Sequence, residues 1–173
     1  MEATTAGEAL LQREALRHLS AVPFTPEIAR ALHHLVESAH ESVRLAALPV
    51  MAARGGQRVF AALLAHVDKH AARLATAEAE AAGQALVRAS AREALATFEA
   101  WLRPKGGGLL GKLVKMHAAA PLQRVALSGL RSLPGPEATS LVELLADHGD
   151  SALRPDAEAV LAARPPGPGA ERG

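Results

Sequence analysis

Glu41-Ser42-Val43-Arg44-Leu45-Ala46-Ala47-Leu48 is the stretch on which the fold turns. A polar pair, then Val-Arg, then small residues on an apolar face suit the first turns of a helix that packs closely on its neighbours. Leu122-Gln123-Arg124-Val125-Ala126-Leu127 and Ser151-Ala152-Leu153-Arg154-Pro155-Asp156-Ala157 echo it, and Gln12-Arg13-Glu14-Ala15-Leu16 is a weaker copy. Arg13 and Arg44 lie 31 residues apart, Arg124 and Arg154 lie 30 apart, and Arg44 to Arg124 is 80. The long interval accommodates two units plus an insertion. A recurrence at this spacing is the mark of helical hairpins stacked side by side, each burying its apolar face on the next.

Outward from that stretch the punctuation is regular. Breakers fall at Pro23 to Pro26, Ser38 to His40, Gly55-Gly56, Pro104 to Gly111, Pro134 to Pro136 and His148 to Asp150. The segments between them have the length of packed helices and carry helical apolar stripes, such as Ile28, Leu32, Leu35 and Val36, or Phe60, Leu63, Leu64 and Val67. Sustained period-two alternation is missing, which argues against a sheet. Thr25-Pro26-Glu27 orders a cap, an early proline and an acid, and Asp150 is placed to cap the final helix. Pro49 should kink its helix rather than end it. The spacing predicts a first helix over 7–21 and hairpins of 26–38 with 42–54, 57–70 with 77–89, 91–103 with 119–133, and 136–147 with 151–163. Residues 1–164 then form one domain with a Gly/Lys-rich insertion near 104–118, and residues 165–173 are a Pro/Gly tail expected to be disordered.

The Val43-Arg44-Leu45-Ala46-Ala47 pattern after a polar turn resembles the bacterial HEAT repeats. The resemblance covers roughly Gln12 to Ala163 and is weakest over residues 70–120. It implies an all-α, right-handed α-solenoid of stacked antiparallel hairpins, with about nine or ten helices. It is nearly silent on function.

Composition works mainly by exclusion. Apolar residues make up 49 % of the 173, but the chain holds three Phe, one Trp and no Tyr, so Ala and Leu carry the core and favour helix. With no cysteine, disulfides, thiolate metal sites and thiol catalysis are excluded. A net charge of +1 gives no bulk drive toward nucleic acid or an anionic membrane. Fifteen Arg against four Lys, with abundant Ala, Gly and Pro, suggests a GC-rich bacterial genome. Neither a signal peptide nor a spanning segment is visible, so a cytoplasmic location is expected.

Candidate chemistry fails on specific residues. His66 and His70 have the i, i+4 spacing of a two-His metal site, but Val67 stands where the metalloprotease pattern needs Glu, and the sequence identifies no third ligand. Both are expected to stand exposed near a helix C-terminus, with no metal and no cofactor. His33-His34 reads as surface. An iron hydroxylase family of HEAT-like build uses several His-Glu pairs, whereas only His40-Glu41 occurs here. HEAT-like DNA glycosylases use a basic face with aromatics, against which stand near-neutral charge and the single Trp101. Gly106-Gly107-Gly108 and Gly111-Lys112 fall short of a phosphate loop, because Leu113 follows the lysine. No catalytic residue is therefore expected.

The expected function is a non-enzymatic scaffold or adaptor that takes a protein or peptide partner on its helical surface. The alternative is a nucleic-acid-binding protein; the charge disfavours it, and nothing points to a small-molecule substrate. Arg88, Gln123 and Arg131, on the second helices of their hairpins, and Lys105, Lys112 and Lys115 of the insertion are the candidate partner contacts.

Overall fold

The computed structural model describes residues 2–103 and 118–164, with side chains from Leu10 onward apart from Arg13. The insertion from 104 to 117 and the tail from 165 lie outside the described residues. Those described are all-helical, in the order α1 (Glu2–Ala21), α2 (Pro26–Val36), α3 (Glu41–Ala52), α4 (Gln57–His70), a 3-10 turn (Ala71–Arg73), α5 (Thr76–Ala89), α6 (Ala91–Leu102), α7 (Ala120–Leu130), α8 (Pro136–His148) and α9 (Arg154–Ala162). Among them none is long and apolar enough to cross a membrane.

Local chemistry sets most boundaries. The Thr25 hydroxyl accepts from the Ile28 amide at the start of α2. Gly55 and Gly56 adopt positive φ after α3, a conformation that L side chains resist. α3 runs on through Pro49 to Ala52. Several boundaries differ from the sequence expectation: α2 ends at Val36 rather than 38, and α7 at Leu130 rather than 133. α1 begins at Glu2 rather than residue 7. Asp150 does not cap α9: its carboxylate accepts from the Ala152 amide in the turn, and α9 starts only at Arg154.

Consecutive helices pair, α2 on α3, α4 on α5, α6 on α7 and α8 on α9. The later members of the first three pairs also pack on one another, α3 on α5 and α5 on α7, while α1 lies on α3. Contacts at the helix ends fix their sense. Arg54, just past α3, donates to the Leu19 carbonyl at the end of α1 (2.6 Å). The Gly56 amide, also past α3, donates to the Ala89 carbonyl at the end of α5 (3.0 Å). Arg164, past α9, donates to the Leu130 carbonyl at the end of α7 (2.6 Å). Like ends therefore meet like ends, and these helices run parallel.

One core joins the pairs, from Leu16 and Leu32 through Val43, Leu63, Leu86 and Phe98 to Leu130, Leu145 and Val160. Its closest approach is at Gly83 of α5 and Gly129 of α7. A Cβ on Gly83 would fall on the Val125 carbonyl oxygen, and one on Gly129 would lie 2.5 Å from the Phe98 ring. The small residues that permit this approach sit at the middle of α5 and near the end of α7, beyond the alanines of the Val-Arg motif.

The motif has a structural use. Arg44 donates back to the carbonyls of Ser38 (2.8 Å) and Ala39 (3.2 Å) in the turn before its helix. Arg154 does the same to Gly149 (3.1 Å). In α7 the equivalent residue is Gln123 rather than Arg124: its amide donates to Ala118 (2.8 Å) and accepts from the Asp150 amide of the next turn (2.8 Å).

Candidate functional site

The densest polar chemistry lies where the α2–α3 turn meets the α4–α5 turn. Glu37 ends α2, Arg44 stands in the first turn of α3, and Glu78 in the first turn of α5. His66, Lys69 and His70 occupy the last turns of α4, and Arg73 closes the 3-10 turn. Arg44 reaches across with both arms of its guanidinium, Nε to Glu78 Oε1 at 2.7 Å and Nη2 to Oε2 at 2.8 Å. His66 lies between two carboxylates, Nδ1 at 2.7 Å from Glu37 Oε1 and Nε2 at 3.3 Å from Glu78 Oε1. Glu37 Oε2 meets His70 Nε2 at 3.2 Å and accepts from the Lys69 ammonium. Arg73 donates to His70 Nδ1 at 3.0 Å.

The sequence places His66 and His70 in solvent, and the structure corrects this. The His66 ring has no exposure and the His70 side chain keeps 16 %. The α2–α3 turn covers the α4 C-terminus, so side chains 29 to 34 residues apart in sequence converge there. Glu37 supplies the third potential metal ligand that the sequence does not identify: one ligand atom each from Glu37, His66 and His70 lie within 4.8 Å of one another. Glu37 and Glu78 pass in the sequence as ordinary helix-end acids.

Two opposing effects act on each carboxylate. Burial works to raise the pKa of Glu37, but hydrogen bonds from Lys69, His66 and His70 outweigh it and hold the value down at about 2. Burial also works against ionised Glu78, and the guanidinium of Arg44 overcomes it, with His66 adding to the effect, so its pKa is lowered as well. The hydrogen bond to Glu78 in turn raises that of Arg44. The cluster is thus built for charged carboxylates. A cavity of about 310 Å³ opens beside it, lined by Glu37, Ser38, Ala39, Arg44, His70, Arg73 and Glu78.

The other sequence candidates fall elsewhere. Arg88 and Arg131 are exposed, and they come together on one shallow groove of about 380 Å³ between α5 and α7, with Gln84, Val87, Ser128 and Ser132. Among the described residues neither arginine has a carboxylate partner. Gln123 is 6 % exposed, and both ends of its amide are engaged within the fold. Lys105, Lys112 and Lys115 lie outside the described residues. His33 and His34 are exposed, as the sequence suggests.

No family model matches the chain, and neither a curated protein nor a solved structure matches it. The site must therefore be interpreted from its own chemistry.

Proposed function

We propose that the chain is a HEAT-like α-solenoid of bacterial origin, acting in the cytoplasm as a non-enzymatic scaffold that binds a protein or peptide partner. The single observation that carries this is the α5–α7 groove, where two exposed arginines from neighbouring helices line one depression without a carboxylate between them. Parallel stacking of α1, α3 and α5 supports the solenoid part of the proposal. Unpaired guanidinium groups over a partly apolar floor suit a segment carrying Asp or Glu, since a guanidinium fork matches a carboxylate in geometry and charge. Lys105, Lys112 and Lys115 extend the proposed contact surface by sequence alone; Gln123 stays with the fold.

Affinity capture from lysate of the source organism, followed by mass spectrometry, tests it. Wild-type protein is expected to enrich a reproducible protein partner that the Arg88→Glu/Arg131→Glu double variant loses. Equal enrichment by both proteins, or none by either, would overturn the proposal. Capture of nucleic acid that disappears with added salt would favour the alternative instead.

A further inference from the structure

Outside the proposed partner groove, the α2–α4 junction holds a set of ligands that scaffold binding does not use. We infer that Glu37, His66 and His70 form a three-ligand site for a divalent first-row transition ion, Zn²⁺ foremost, that ties the end of α2 to the end of α4. The i, i+4 spacing puts both imidazoles on one face of α4, their ring centroids 4.7 Å apart. The Glu37 carboxylate faces both, 2.7 Å from His66 Nδ1 and 3.2 Å from His70 Nε2. Tetrahedral zinc with bonds of about 2.0–2.2 Å needs ligand atoms about 3.3 Å apart, so modest side-chain movement opens the required space. Two imidazole nitrogens and one carboxylate oxygen suit zinc and its neighbours better than Mg²⁺ or Ca²⁺, which prefer oxygen alone.

A second feature brings in residues beyond those three. His66 Nε2, the nitrogen facing away from Glu37, is backed by Glu78 at 3.3 Å, and Glu78 is fixed by the two-armed contact from Arg44. A carboxylate behind a ligating histidine orients its ring and strengthens it as a donor. The cavity beside the site touches Glu37 and His70, which leaves room for water in the fourth position. Lys69 already places a positive charge on Glu37 Oε2, so the carboxylate accepts a cation there. That side chain is 62 % exposed and can swing away. Metal would displace it, along with the protons that His66 Nδ1 and His70 Nε2 direct at Glu37. Arg73 would leave His70 Nδ1, which takes up the ring proton.

The test is titration of the full-length, untagged protein with Zn²⁺ by calorimetry, with melting temperature and circular dichroism followed in parallel. Wild type should take up one ion per chain and melt at a higher temperature when loaded. Glu37→Gln and His70→Ala should each weaken binding at least ~10-fold, and Glu78→Gln should weaken it by roughly 10–100-fold through the orientation of His66. Lys69→Met removes the competing ammonium and should tighten binding several-fold. A hydrogen-bond network with no affinity for metal would not produce that gain, and this surface variant keeps the test open if Glu37→Gln fails to fold. His33→Ala/His34→Ala should bind as wild type does. Absence of stoichiometric uptake, undiminished binding by His70→Ala, or loss of binding in the His33/His34 variant would each overturn the inference.

Discussion

Glu37 and Glu78 are carboxylates drawn out of water and kept charged by the donors around them. For Glu37 the folded pKa is lowered from an ordinary value of 4.5 to about 2. A carboxylate with a depressed folded pKa contributes its full stabilisation above the unfolded value and loses it as pH falls through the folded one. In metal-free protein the urea midpoint of wild type should therefore drop more steeply than that of Glu37→Gln between pH 4.5 and about 2. Above that window the two curves should run parallel; parallel curves throughout would mean that Glu37 is no better held folded than unfolded. Arg44 supports a sharper expectation. Glu78 is only 3 % exposed, so Arg44→Met leaves a buried carboxylate without its guanidinium and strips the donor from the Ser38 and Ala39 carbonyls. Breaking one side of a buried pair costs about 3–5 kcal/mol, against about 0.2–1 kcal/mol for an exposed pair. Urea denaturation distinguishes the two ranges.

At the scale of elements, α5 and α7 depend on two glycines. Gly→Ala in a helix interior ordinarily stabilises by about 1 kcal/mol. Here the sign should reverse, because the Cβ at position 83 would meet backbone rather than a movable side chain. Gly83→Ala should lose about 1–3 kcal/mol or more through overpacking. Gly129→Ala meets the Phe98 ring, which is buried and can turn only by disturbing its neighbours, and should also destabilise. Thermal melts of both variants decide it, and a raised melting temperature would show that the helices can part at little cost. This contact also marks the limit of legibility in the sequence. Thr25, Pro26, Gly55 and Pro136 act on their immediate neighbours, so the helices they bound can be read locally. Gly83 and Gly129 offered one weak signal, a glycine inside an apolar helical stripe, where some packing reason must offset its cost. The His66 cluster shows only the i, i+4 spacing of His66 and His70, since Glu37 and His66 meet only once two hairpins have stacked. The one-residue shift from Arg124 to Gln123 is not legible in the sequence for the same reason: either side chain can bond a turn carbonyl, and only the helix phase decides which one points there.

For the whole molecule, connectivity sets where the fold opens first. α5 packs on α3, α4, α6 and α7, whereas α1 packs chiefly on α2 and α3 among the described residues, and α9 chiefly on α8. Leu10 and Leu11 on α1 are 68 % and 72 % exposed, so this stretch of the helix buries little. In a stack held by nearest-neighbour contacts, end units open at less cost than central ones. Native-state hydrogen exchange should therefore be fastest in α1, intermediate in α9 and slowest in α5 and α7. The polar bridges refine that order. Arg54 ties the end of α1 to α3, and Arg164 ties the end of α9 to α7 and to Thr139 of α8. Arg54→Ala should speed exchange in α1 while leaving α7 unchanged, and Arg164→Ala should act on α9 alone. Two distant variants with separate local effects would show that each end is fastened independently. Uniform acceleration along the chain in either variant would instead mean that the stack opens as one unit, and that the exposed α1 face is no weaker than the centre.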